Sequence, residues 1–316
     1  MILCCGEALI DMIPNAHGSF HPCPGGSPYN TAIAIARLNV PAAFLGRLST
    51  DFFGEILIQR LRQNQVREEF IIRSGEHSTL AFVKLDAGAE PQYVFYTEGS
   101  ADRSLSPADI PPALPPEIRG ILFGSIALTL EPAASSIESL IRREAARGEA
   151  GPLISFDPNV RPFMIPDRDA YVKRFESWAS LAHIAKVSAQ DYDFIYPGLG
   201  LEPSMRRVLS LGPRLAVSTL GPKGALALLK QPGGGLLRVT SPAIDLPVAD
   251  TIGAGDTFHG ALLAWLERRS TPPRAALAAL TEGELADALR FANKAASLVC
   301  SRKGAEPPSL AEVETL

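Results

Sequence analysis

Short apolar runs alternate with longer helical segments along most of this chain, and that alternation restricts the folds open to it. Strand-like runs stand at 120–123, 153–156, 184–187, 215–218 and 225–229. Segments with helical spacing at 133–147, 169–181 and 204–211 separate most of them. Strands that alternate with helices build a mostly parallel sheet covered on both faces. The N-terminal part fits the same plan. Residues 1–5 form a short apolar strand ended by Gly6, and 42–45 form another. Residues 31–38 (TAIAIARL) read as a buried helix after a Gly-Pro turn, and 53–64 as a helix with Ile56, Leu57 and Leu61 on one face. From Thr257 onward the chain is mainly helical. The expected class is α/β, a mostly parallel central sheet flanked by helices.

One stretch departs from this plan. Residues 80–85 (LAFVKL) and 92–97 (QYVFYT) have alternating character, and the turn-rich DAGAEP joins them. They read as a β-hairpin inserted in an α/β chain. It is a candidate lid, and an ordinary edge hairpin fits the pattern equally well. The Pro-rich piece at 107–116 reads as a surface loop too short to separate domains. No internal repeat interrupts the chain, so 1–316 is expected to be one domain with a small inserted β element.

Composition removes several functions. The chain has 316 residues, 46% hydrophobic and 20% charged, as soluble globular proteins do. Its net charge is -4, and the pairs Arg142-Arg143 and Arg268-Arg269 are too short for a nucleic-acid surface. The four cysteines, Cys4, Cys5, Cys23 and Cys300, form no CxxC pair. Cys4 and Cys5 would point to opposite faces of a strand. The histidines do not fall at metal-ligand spacing. Reduced thiols suit a cytoplasmic protein. The N-terminus lacks the basic and apolar regions of a signal peptide, and no apolar run approaches the ~20 residues of a membrane helix.

The strongest local signal is DTIGAGDTF at 250–258, small residues that lead into the helical GDTFHGALLAWL. Backbone N–H groups at such a helix start attract an anion, and small side chains let a phosphate come close. A carboxylate there, Asp256, would repel phosphate unless it serves as a base for an attacking hydroxyl. Taken alone, an aspartate N-cap after a glycine turn is the simpler account. A Walker-type loop, GxxxxGK[ST], is absent. GxGxxG is not completed either, because Phe258 stands where the third glycine would be, which weakens a dehydrogenase reading. A second signal is GGSPYNTA at 25–32. Its Asn30 can donate to and accept from a sugar hydroxyl, or cap a helix. Asp11 closes the first strand region, where open α/β sheets often meet ligands.

These segments, with GRLSTDFFG at 46–54, resemble the two signatures of the ribokinase-like (pfkB) carbohydrate kinases, in the family's order. Agreement continues through GEALIDM at 6–12, FYTEGSAD at 95–102, FGSIAL at 123–128, DPNVRP at 157–162, KVSAQD at 186–191, STLGPKGA at 218–225 and FANKAASLVCSRKGA at 291–305. The resemblance implies a kinase that uses ATP and magnesium. Asp256 would be the catalytic base, with Gly253, Ala254 and Gly255 as the anion hole. Asp11, Gly25, Gly26 and Asn30 would hold the sugar, with Phe95 contributed by the lid and Arg161 near sugar or phosphate. Lys186, Ser188, Thr219, Gly221 and Gly224 would line the ATP site, with Asn293 near the adenine. Asp250, Ile252 and Gly304 match a loop that holds a monovalent cation, potassium, in many relatives. The lid would come from about 12–24 and 76–100, and a homodimer is left open.

Two departures matter. Many relatives carry Asn-x-x-Glu near magnesium, and here Ser188 and Asp191 stand there, preceded by Lys186. Relatives often have Arg where Thr97 stands, and its loss leans toward a neutral sugar. Within the family the chain is most similar to fructokinases, which implies fructose as the substrate. Ribose, 2-keto-3-deoxygluconate or a modified hexose are alternatives, as is a non-catalytic sugar-binding protein on the same scaffold.

Overall fold

The computed structural model describes residues 1–15, 18–84, 92–269 and 271–316. The chain opens with strand β1 (Ile2–Cys5), then β2 (Leu9–Pro14), β3 (Phe20–Gly25) and helix α1 (Ser27–Arg37). Next come β4 (Ala42–Ser49), α2 (Phe52–Gln63), β5 (Ile71–Ser74) and the pair β6 (Thr79–Lys84) and β7 (Gln92–Tyr96). The alternating part runs β8 (Gly120–Gly124), α3 (Ala133–Ala145), β9 (Leu153–Asp157), α4 (Arg168–Leu181), β10 (Ile184–Lys186), α5 (Ala189–Ile195), α6 (Leu201–Leu211) and β11 (Leu215–Thr219). After β12 (Ala225–Lys230) and β13 (Leu236–Ser241), helices α7 (Ala254–Glu267), α8 (Pro273–Ala278), α9 (Glu282–Cys300) and α10 (Leu310–Thr315) close the chain.

Among the described residues the large sheet has nine strands, in the order β13-β12-β11-β10-β9-β8-β1-β4-β5. All neighbours from β11 to β5 are parallel, and only β12 and β13 run antiparallel. The period of two along β1 divides the core. Ile2 and Cys4 join the apolar cluster under α1, α7 and α9, while Leu3 and Cys5 join the one under α3 to α6. Fully buried side chains such as Trp178, Phe156 and Phe258 anchor these clusters, each worth about 1.5–3 kcal/mol of burial.

Among the described residues the second sheet has four strands, in the order β3-β2-β6-β7. It is mixed: β2 pairs antiparallel with β3 and parallel with β6, and β6 pairs antiparallel with β7. Asp11 lies opposite Ala81, and Ala81 opposite Phe95, so these three share a face. The other face carries Phe20, Phe82 and Tyr96 in edge-on contact, with centroid distances of 5.1 and 5.6 Å.

Several elements differ from the sequence reading for identifiable reasons. Helix α1 starts at Ser27, and the Gly-Pro step belongs to it: Gly26 is its N-cap, and Pro28 sits in the first turn, where a missing N–H costs nothing. Strand β3 carries two prolines, which argue against a strand, yet it lies at the sheet edge, where proline is tolerated. The short edge strand β5 and the antiparallel β13 were not anticipated. The hairpin link at 86–91 lies outside the described residues. Among the described residues, no helix is long and apolar enough to cross a membrane.

Candidate active site

The site forms where the parallel strands of the large sheet end and the second sheet meets them, the usual ligand position in open α/β sheets. The turn before α7 is its floor. Gly253 caps α7 at φ 75, and a Cβ there would come 2.8 Å from the Cβ of Ala305, so only glycine fits. Ala254 and Gly255 open the helix, whose first N–H groups lack intrahelical partners. The Nζ of Lys186, at the end of β10, stands 3.0 Å from where a Cβ of Gly255 would lie. A positive helix end and a buried ammonium therefore face the same small volume.

Asp256 is not the N-cap of α7; Gly253 is. Its carboxylate points instead to the first turn of α1. Oδ1 accepts from Ser27 Oγ at 2.6 Å, and Oδ2 accepts from Asn30 Nδ2 at 3.0 Å. Burial pushes this carboxyl above the ordinary value, and the bonds from Ser27 and Asn30 oppose that push. Asn30 itself is buried, and its Oδ1 has no hydrogen-bond partner among the described residues. The amide thus holds Asp256 with one end and offers an unused acceptor with the other.

Asp11 approaches from β2. A Cβ on Gly25 would lie 2.2 Å from Asp11 Oδ2, so glycine makes room for the carboxylate. Gly26 has φ 108, and a Cβ there would meet the carbonyl of Glu7 at 2.6 Å. Burial drives the Asp11 carboxyl up to about 7, opposed by Arg161 and reinforced by Asp256. Arg161 is steadied by Asn159, whose Oδ1 accepts from its Nη1 at 2.9 Å, and Asn159 Nδ2 donates to Ser125 Oγ at 3.3 Å. Ser125 and Asn159 adopt φ 62 and 39, an uncommon region for residues other than glycine. Phe95 packs on Leu9, Ala81, Ile126 and Leu130 and lies 5.5 Å from the ring of Phe163.

Behind the glycine turn that precedes α7 lies a buried polar chain. Lys186 pairs with Asp157 at 2.9 Å, Asp157 lies 3.6 Å from His259 Nδ1, and His259 Nε2 bonds Ser155 Oγ at 2.6 Å. Ser188 and Asp191 form a capping box for α5, and Asp191 also accepts from the N–H of Val160. Gly224 and Asn293 meet at one point. A Cβ on Gly224 would lie 2.1 Å from the Ser241 carbonyl, and Asn293 Nδ2 donates to that same carbonyl at 2.9 Å. Thr219 ends β11, and Gly221 opens the following turn at φ 58. Asp250 accepts from the N–H groups of Ile252 at 3.1 Å and Gly304 at 2.9 Å, so these three are also brought together.

A family model for the pfkB family carbohydrate kinases matches residues 1–312. The chain belongs to that family. Among this kinase's relatives is a fructokinase of Rhizobium leguminosarum bv. trifolii, 37% identical over 289 residues, which are 90% of this chain and 85% of the relative. A fructokinase from Xylella fastidiosa, solved with bound ATP, superposes with a TM-score of 0.89 at 29% identity, covering 99% of this chain and 97% of that one. A fructokinase from Vibrio cholerae O395, solved with fructose, ADP and calcium, gives a TM-score of 0.84 at 30% identity over the same shares.

The structure also puts beside the kinase site residues that sequence reasoning did not single out: Ser27, Glu7, Asp157, His259, Tyr93 and Phe163. Five lay inside segments whose neighbours were chosen: Glu7 in GEALIDM, Ser27 in GGSPYNTA, Tyr93 in QYVFYT, Asp157 in DPNVRP and His259 in GDTFHGALLAWL. Nothing in the sequence marks Phe163, which reaches the second sheet only through the fold. Its ring stacks on Tyr93 at 6.4 Å.

Proposed function

We propose that this carbohydrate kinase transfers the γ-phosphate of ATP to a hydroxyl of a neutral hexose, fructose, giving fructose 6-phosphate and ADP. The observation that carries the reading is the placement of Asp256. A buried carboxylate stands beside a glycine-lined helix start, gripped by an amide with a free acceptor. Asn30 Oδ1 and the Asp11 carboxylate receive sugar hydroxyls. Asp256 takes the proton of the attacking one. The N–H groups after Gly253 and the Lys186 ammonium face the charge that builds on the transferring group.

Thr219, Gly221 and Gly224 form the nucleotide side, and Asn293 supports it by fixing the Ser241–Pro242 backbone. Among the described residues, no cluster of three or more His, Cys, Asp or Glu is arranged to hold a metal ion. Asp191 is taken up by backbone N–H groups and Asp157 by Lys186. The residues present therefore do not fit a protein-made magnesium site, and magnesium would arrive on the nucleotide phosphates with its own waters. Potassium would sit at the loop of Asp250, Ile252 and Gly304 and be held mainly through backbone carbonyls, because both Asp250 oxygens already accept from the N–H groups of Ile252 and Gly304.

The second sheet acts as a lid, with Phe95 facing the sugar. Its exposed apolar outer face, with Phe20, Val94 and Tyr96, supports a homodimer. Four free cysteines suit the cytoplasm. Neutral sugar is favoured by Thr97, which is buried at the end of β7 and adds no cation. The test is ADP release by purified protein against fructose, ribose, 2-keto-3-deoxygluconate and modified hexoses. Fructose should exceed 2-keto-3-deoxygluconate in kcat/KM by at least ~10-fold, about 1.4 kcal/mol of differential binding. A reversed ratio sinks the fructose assignment, and tight sugar binding with no ADP release across the panel would favour a binding protein.

A further inference from the structure

Asp256 is gripped on both oxygens, and the shorter bond comes from a residue outside the sugar and nucleotide sets. Ser27 is the first residue of α1 and is 8% exposed. Its backbone N–H donates to Glu7 Oε1 at 3.1 Å, while Glu7 Oε2 accepts from the N–H of Ala127 at 3.2 Å. The helix start is thereby pinned to the segments after β1 and β8, and from there the Ser27 hydroxyl reaches Asp256 Oδ1. Three residues on, Asn30 lies on the same helix face and takes the other carboxylate oxygen.

We propose that Ser27 is a positioning residue for the base: its hydroxyl fixes the orientation of Asp256 and favours the charged form of its carboxylate in a buried site. This rests on the reading of Asp256 as the base. A hydrogen bond given to the charged form favours that form, and here it works against desolvation. Other charged groups bear on Asp256. Asp11 faces it from the second sheet, Asp157 from the end of β9, and both favour the protonated acid. Lys186 from β10 favours the anion, with Arg161 beside Asp11 and His259 on α7 behind Asp157. None of these has a hydrogen bond to Ser27, so loss of the hydroxyl changes one contact and leaves the rest of the field in place.

The experiment compares the parent enzyme, S27A and D256N in kcat/KM for the sugar between pH 5 and pH 9, with melting temperature measured on the same preparations. Removing a hydrogen bond to a buried anion should move the acid limb upward by roughly one pH unit in S27A. Sugar binding at saturating ATP should change by less than about twofold, because Asn30 and Asp11 remain. D256N should lose turnover at every pH. A D256N enzyme with near-parental turnover overturns the base reading and this inference together. An inactive D256N with an unmoved acid limb in S27A overturns the role of Ser27 alone, even if S27A melts lower, since a purely structural serine affects stability and not the limb.

Discussion

The ammonium of Lys186 lies 2.9 Å from Oδ2 of Asp157, and each side chain is 5% exposed. The two residues end neighbouring parallel strands, and the pair stands behind the glycine turn that precedes α7. Burial alone would raise the Asp157 carboxyl, but the charge and hydrogen bond of Lys186 and those of His259 together outweigh it and hold the carboxyl down, from 3.8 to about 2. Burial likewise works against the Lys186 ammonium, and Asp157, joined by Asp191 and Asp256, more than offsets it, so its pKa is raised above 10.5.

Lys186→Met should therefore destabilise the protein by about 3–5 kcal/mol at neutral pH, because it leaves a buried carboxylate without its partner. The sign of the pH dependence follows from both shifts. The depressed Asp157 contributes stability above its unfolded value of 3.8, lost as pH falls through about 2. The raised Lys186 contributes stability below 10.5, lost at still higher pH. The gap between parent and variant in urea midpoint should be full at pH 7 and narrow toward pH 2. A gap independent of pH would show that the pair carries no such stability.

Asp256→Asn should lower turnover by roughly 10² to 10⁴, the worth of a positioned base. It should not lower the melting temperature. Burial raises the Asp256 pKa, so the native state favours the protonated form and the charge opposes folding at neutral pH. A neutral amide removes that cost, and Asn30 can turn its free Oδ1 toward it. Near-normal ADP release removes Asp256 from the mechanism, and a much lower melting temperature removes the argument about its charge.

Activity should be higher in potassium than in a large organic cation at equal ionic strength. Asp250 ties Ile252 to Gly304, and the adjoining Ala305 presses on Gly253, so a cation here would stiffen the anion turn and offset phosphate charge. Identical rates in the two salts would leave these residues a structural tie only.

Phe95→Ala should change stability and kinetics together. The ring is partly buried among Leu9, Ala81, Ile126 and Leu130, so its loss should cost roughly 2 kcal/mol, less than for a fully buried phenylalanine. Sugar KM should rise and kcat fall, with ATP binding nearly intact, if the sheet closes over the sugar. A melting temperature that drops while sugar KM stays put makes the ring structural and the lid reading wrong.

Much of this was legible in the sequence, for reasons the structure makes clear. The buried strands of the parallel sheet are short apolar runs between helices, so β8 to β12 fell within a residue or two of their expected bounds. Strand β3 hid behind two prolines, and in β5 and β13, at the edges of the large sheet, short apolar starts are broken by Arg73 and Arg238. At the site, motif resemblance found residues on the turns, such as Gly253 and Asp256. It passed over those whose role depends on a partner far away in the chain. Ser27 looks like filler between Gly26 and Pro28 until its hydroxyl meets Asp256, 229 residues later. Asn293, expected near the adenine, spends its amide donors on Ser241 and Pro242, a use no linear pattern reveals.

The small sheet is woven into the chain in a way that matters to anyone who would re-engineer it. Strands β2 and β3 lie between β1 and α1, so the backbone that carries Asp11 runs on through Gly25 and Gly26 into Ser27 and Asn30. Only β6 and β7 form a separable insert. A chimera that borrows residues 79–96 from a relative would receive a new ring at Phe95 but keep the native Asp11 and the native grip on the base. One that borrows residues 7–30 would replace both at once. On the roles proposed above, sugar preference and base alignment would be inherited as one block.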